Sequence, residues 1–84
     1  MSKKKILFFN SPYCGPCHNA KRALTQEVCE ELNIEITYVS AEHDWNTFST
    51  YKVISVPTFL SIDENENEIK RLEGFKSLED IKEL

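Results

Sequence analysis

The stretch Lys4-Lys5-Ile6-Leu7-Phe8-Phe9-Asn10-Ser11-Pro12-Tyr13-Cys14-Gly15-Pro16-Cys17 decides how the rest of the chain is read. Its first part, Lys4–Phe9, is a nearly continuous apolar run, the pattern of a strand covered on both faces of a sheet. Asn10-Ser11-Pro12-Tyr13 is a connecting loop. From Gly15 onward the pattern turns helical, and Ala20, Ala23, Leu24, Val28 and Leu32 fall along one stripe. Pro16 suits the first turn of such a helix, where its missing N–H costs no helical bond. Cys14 and Cys17 therefore sit at a helix start. Residues three apart on a helix are neighbours, and a disulfide needs its Cα atoms only about 4.4–6.8 Å apart. Unpaired backbone N–H groups and the helix dipole favour an anion at that end. They should draw the Cys14 pKa down from about 8.5, and the thiolate is the nucleophilic form of sulfur. The pair is a candidate redox site.

Outward from it, the helix runs to Leu32 and stops at Asn33. Ile34–Val39 alternates apolar and polar residues and forms a second strand. Asp44 caps a short helix reaching Lys52, with Trp45 and Phe48 as core anchors one turn apart. Ser55-Val56-Pro57 leads into a third strand, Thr58–Ile62, and the polar turn Asp63–Asn67 returns the chain as a fourth, Glu68–Leu72. Ser77-Leu78-Glu79-Asp80 resembles a capping box opening a last helix, with Leu78, Ile81 and Leu84 apolar. The order is βαβ-α-ββ-α, with the first βαβ a right-handed parallel crossover. The fold class expected is α/β: a four-stranded mixed sheet with three helices, as a single domain over residues 1–84.

Length and composition narrow the function. Eighty-four residues make one small domain. A net charge of −4 argues against general nucleic-acid binding, which needs a basic face. Lys3-Lys4-Lys5, the basic run, is a solvated lead-in to the first strand. The apolar run behind it is too short for an export signal, and no segment approaches membrane-spanning length. Three cysteines do not make a secreted disulfide framework. The cytoplasm is the expected compartment, and a monomer the expected state.

Other chemistries compete for the same residues. A zinc site needs two more ligands, and His18, His43 and Cys29 offer no paired spacing. Cys14-x-x-Cys17-His18 also fits a haem-attachment pattern, but the βαβ setting and a lone methionine, Met1, disfavour it. No metal and no cofactor are expected. His18 itself has two readings: a charged imidazole favouring the Cys14 thiolate below neutral pH, or a solvent-facing residue without a role. Cys29 lies roughly 120° around a continuous helix from Cys17 and is expected to be a passive thiol.

Cys14-Gly15-Pro16-Cys17, this βαβ setting and the downstream Val56-Pro57-Thr58 together resemble the thioredoxin family, whose cis-proline segment the latter matches. Gly74 also falls where the family carries a glycine before its last helix. The resemblance covers essentially the whole chain and implies a thioredoxin-like fold, although the family's extra N-terminal strand and helix are missing. In size the chain is similar to a glutaredoxin. The resemblance implies that Cys14 attacks and the buried Cys17 resolves. It also implies that Pro57 is cis, that Val56 pairs through its backbone with substrate, and that Tyr13 rims the groove. Gly15, Pro16 and His18 would modulate the pair. The implied activity is reduction of protein disulfides, with disulfide-bearing proteins and a thioredoxin reductase as partners.

Three positions depart from the family. Tyr13 replaces its usual tryptophan, Phe8 its buried aspartate and Tyr38 the neighbouring lysine, so Cys17 lacks its usual proton-transfer helper. A glutathione-dependent, glutaredoxin-like enzyme is the nearest alternative, but Glu73-Gly74-Phe75 fits a glutathione tail poorly. A non-catalytic binding module with the same surface is the other.

Overall fold

The structure, a computed structural model, describes residues 3–84; Met1 lies outside them. The elements are β1 (Lys4–Asn10), α1 (Gly15–Ala23), α2 (Gln26–Leu32), β2 (Ile34–Ser40), α3 (Trp45–Tyr51), β3 (Thr58–Ile62), β4 (Glu68–Glu73) and α4 (Leu78–Lys82). They build an α/β fold around one four-stranded sheet in the order β2-β1-β3-β4. β1 is parallel to β2 and antiparallel to β3, and β3 is antiparallel to β4, so the sheet is mixed as expected.

The alternation of side chains along the two central strands divides the core. Ile6 and Phe8 of β1 and Phe59 of β3 face one side, where Cys17, Ala20 and Leu24 meet Ile81 and Leu84. Leu7 and Phe9 face the other side with Leu60 and Ile62, under Phe48 of α3 and Val53. With both faces covered, Ile6–Asn10 is buried without interruption. Phe8 and Phe59 are opposite one another in register, and their rings lie 4.5 Å apart between centroids. Such ring pairs add about 0.5–1.5 kcal/mol beyond their buried area.

The single helix expected from Gly15 to Leu32 is two. Leu24 leaves helical geometry at φ −92°, ψ 63°, and Thr25 opens α2, its hydroxyl accepting the Val28 N–H at 3.2 Å. The described residues thus hold four helices, not three. The apolar stripe runs across this joint unbroken, which hides it, whereas Thr25 satisfies a free N–H that a continuous helix would not have. The 120° offset of Cys29 therefore does not hold, because the break resets the helical phase. Asn33, by contrast, ends α2 in the left-handed conformation, at φ 56°.

Three smaller expectations also change. Asp44 precedes α3 without a side-chain cap; its carboxylate turns back to accept the Ser40 N–H at 2.8 Å. Ser77 stands before α4 but makes no side-chain capping bond. Trp45 is 68% exposed, because the one face that short α3 presents to the sheet is taken by Phe48, edge-on to Phe9 at 5.0 Å. The polar turn does form as expected. Asp63 Oδ1 accepts the N–H groups of Asn65 and Asn67 at 2.8 and 2.9 Å.

Truncating Phe8→Ala removes a ring with no exposed surface and should cost about 3–5 kcal/mol, whereas Thr25→Ala should cost about 1 kcal/mol through the lost cap. Urea unfolding of both variants checks the ranking.

Candidate active site

β1 delivers the chain to one end of the sheet, and Asn10 fixes where it leaves. That side chain is buried, and its amide donates to the carbonyls of Phe8 at 3.0 Å and Val39 at 3.1 Å. Ser11 turns the chain next, accepting the Cys14 N–H through its carbonyl at 3.2 Å and the Tyr13 N–H through its hydroxyl at 3.3 Å. Cys14 then has extended backbone, φ −105° and ψ 109°, and is the cap from which α1 starts. Pro16 occupies the first turn.

Cys14 and Cys17 are joined as a disulfide, with Cα atoms 5.2 Å apart. The two sulfurs have different surroundings. Cys14 is half-buried and Cys17 is 1% exposed, so a visiting group can reach only the first. The Cys17 backbone N–H donates to Cys14 Sγ at 3.1 Å. A cap position that normally holds an oxygen acceptor here holds sulfur, and a helix N-terminus stabilises negative charge on it. The arrangement supports nucleophilic attack from Cys14 and closure by Cys17.

Beneath the disulfide the surroundings are apolar. Cys17 belongs to the cluster of Ile6, Phe8, Ala20, Leu24 and Phe59. Cys14, Val56 and Phe75 border the same cluster from its partly exposed side. The Val56–Pro57 peptide is cis, as the family resemblance implied, and Pro57 is buried with its carbonyl accepting the Gly74 N–H at 2.8 Å. Gly74 has φ 87°, a conformation that favours glycine. Thr58 braces the same loop by donating its hydroxyl to the Ser55 carbonyl at 2.8 Å.

The remaining expected residues divide. Tyr13 stands 89% exposed beside Cys14 in the chain. Gly15 is exposed, and a methyl group added there would meet nothing within 4 Å. His18 is exposed, and its Nε2 donates to the Pro12 carbonyl at 3.0 Å, tying α1 to the loop before it. Asn10 and Ser11 are contributors that sequence reasoning missed, and Thr58 was read only as the end of the Val56-Pro57-Thr58 match. Their neighbours in the chain were the only available signal.

A family model described as thioredoxin matches residues 1–84. The chain belongs to the thioredoxin family. It is 33% identical over 78 residues to thioredoxin from Bacillus subtilis, a match spanning 90% of this chain and 73% of that relative. Two solved structures show the same fold. A mutant thioredoxin from Halobacterium salinarum superposes with a TM-score of 0.84 at 18% identity, over 98% of this chain and 71% of that one. Thioredoxin 1 from Thermosipho africanus gives 0.78 at 24% identity, over 94% and 86%.

Cys29, the free cysteine, is half-buried beside Leu32 at the margin of the Cys17 cluster. Burial pushes its pKa up from 9.0, with the charge of Lys3 pulling weakly the other way. In the reduced protein an alkylating reagent at neutral pH should therefore modify Cys14 well before Cys29, and Cys29 should gain reactivity only as the pH is raised. Peptide mapping of the labelled sites checks the order.

Proposed function

We propose that this thioredoxin-family protein is a thiol–disulfide oxidoreductase that reduces protein disulfides through Cys14 and Cys17. The observation carrying the proposal is the cysteine pair itself: a disulfide with one accessible sulfur, and that sulfur faced by a helix N-terminal N–H. In the first step the Cys14 thiolate attacks one sulfur of the partner disulfide. That bond breaks, a mixed disulfide forms, and the other partner sulfur leaves as a thiolate. In the second step Cys17, having lost its proton, attacks Cys14 Sγ. The Cys14–Cys17 disulfide closes, and the partner leaves with both of its sulfurs reduced. Two electrons have passed to the partner, and a thioredoxin reductase restores the dithiol.

Val56 and Pro57 are the residues proposed to receive the partner's extended backbone, with Tyr13 on the opposite rim. The Val56 side chain also borders a shallow apolar groove shared with Trp45, Phe48, Val53 and Ile54. Ile54 is 92% exposed and suits contact with apolar side chains flanking a partner's disulfide. Gly15, Pro16 and His18 shape the helix start without contacting the partner. A monomer working in the reducing cytoplasm fits this reading.

A Cys17→Ser variant should accumulate a mixed disulfide through Cys14, whereas Cys14→Ser should accumulate none. Mass spectrometry after exposure to a disulfide-bonded protein distinguishes them, and an untrapped Cys17→Ser chain would falsify the dithiol mechanism. Turnover sustained by reduced glutathione alone would favour the glutaredoxin-like alternative. Function surviving in a Cys14→Ser, Cys17→Ser chain would favour the binding module.

The second step has its own signature. Phe8 occupies the place of the family's buried acid, and its ring packs against Phe59 and Tyr38. An apolar setting opposes ionisation of a buried thiol. Release of the partner from the mixed disulfide should therefore accelerate steadily as pH rises above neutrality. Stopped-flow measurement of the release rate against pH tests this, and a flat profile would contradict it.

A further inference from the structure

Arg71 in β4 lies away from the cysteines, yet it makes a set of bonds that ends near the proposed partner groove. Its Nη2 donates to the carbonyl of Tyr51 and its Nη1 to that of Lys52, at 3.4 Å. These two carbonyls close α3, with Lys52 in the left-handed conformation at φ 55°. Carbonyls at a helix C-terminus lack intrahelical partners, and a cation there also meets the negative end of the dipole. Glu68 holds the guanidinium from the other side, accepting from Nε at 3.0 Å and Nη2 at 2.8 Å. The fork is thereby oriented, which a lysine ammonium cannot reproduce.

The segment that begins at this point is the one carrying Val56 and Pro57. Val53 follows Lys52 directly and is buried, with its N–H on the Phe48 carbonyl at 2.9 Å. Five residues later the chain enters β3, where the Pro57 carbonyl accepts the Gly74 N–H from the end of β4. β4 thus grips the loop twice, through the Arg71 side chain at its start and the Gly74 backbone at its end. Between these grips Ile54 and Ser55 are exposed and Val56 is half-buried. Tyr51 adds a separate tie, donating its hydroxyl to the Glu66 carbonyl at 2.6 Å.

We infer that Arg71 is a positioning residue for partner binding: by fixing where α3 ends, it holds Ile54–Val56 in the geometry that receives an extended polypeptide. The inference rests on the proposed role of Val56 and Pro57 in receiving the partner. Arg71 touches no reacting atom, so its loss should weaken recognition of a polypeptide and leave sulfur chemistry alone.

The test uses the full chain and two probes, insulin as a disulfide-bonded polypeptide and a small aromatic disulfide that needs no groove. Arg71→Ala should raise KM for insulin about tenfold, the equivalent of about 1.4 kcal/mol, with kcat within about twofold. The rate with the small disulfide should not change. Arg71→Lys should fall between, and Tyr51→Phe should leave KM near its original value. If Arg71→Ala does not fold, amide exchange in Arg71→Lys supplies the readout: residues 53–56 should exchange faster while β3 stays protected. An unchanged KM for insulin, equal slowing with both probes, or unaltered exchange at 53–56 would overturn the inference. A wild-type chain that reduces the small disulfide but never insulin would instead overturn the reading beneath it.

Discussion

The backbone N–H of Cys17 points at the sulfur of Cys14, and that geometry exists only because a helix begins at residue 15. Everything upstream places this start. The doubly covered strand β1 ends at a buried asparagine that binds β2 as well as its own strand. Ser11 then folds the connecting residues into a tight turn and delivers Cys14 in extended conformation. Pro16 is at ease in the first turn of that helix, where its missing N–H costs no helical bond. The reactive sulfur is therefore placed by backbone groups whose positions the sheet dictates, more than by polar side chains around it.

The same arrangement puts two opposing demands on a small core. In the proposed cycle Cys17 is kept buried so that only Cys14 is open to attack, and burying it among Phe8, Phe59 and Leu24 contributes to a core that an 84-residue chain can barely afford to thin. An acid at position 8 would serve proton transfer and sacrifice the Phe8–Phe59 ring pair. This chain keeps the rings. Tyr38 lies tilted against Phe8 at 5.4 Å between ring centroids, with the Lys21 ammonium 5.3 Å from its own ring centre. Burial raises the Tyr38 pKa, and the neighbouring Cys29 raises it further. In the proposed cycle, stability and the ease of the resolving step pull in different directions.

How much of this was legible in the sequence depended on how local the controlling interaction was. β3 spans Thr58–Ile62 as read, bounded by Pro57 before it and by the polar turn from Asp63 after it. Asn33 stops α2 where expected, since asparagine tolerates the left-handed conformation on its own account. The joint at Leu24 and Thr25 was invisible, because the apolar stripe continues across it and only the Thr25 hydroxyl marks the restart. Trp45 misled for the opposite reason. A large apolar residue at helical spacing looks like core, but a seven-residue helix has room for one deep anchor and Phe48 is it. At the site, Cys14, Cys17, Val56 and Pro57 carried a recognisable pattern. Asn10 and Arg71 did not, because the Val39 carbonyl that Asn10 binds and the Tyr51 and Lys52 carbonyls that Arg71 binds are brought near only by the fold.

The central proposal is that the end of a helix favours the anionic form of the Cys14 sulfur once the disulfide is reduced. The direct measurement is the pH dependence of thiolate absorbance in the ultraviolet for the reduced chain, compared with reduced Cys14→Ser and Cys17→Ser variants. The account expects the first ionisation to lie below that of an ordinary cysteine thiol, about 8.5, and to disappear with Cys14 while persisting without Cys17. A first ionisation at or above that value, or one that vanishes only when Cys17 is replaced, would contradict it.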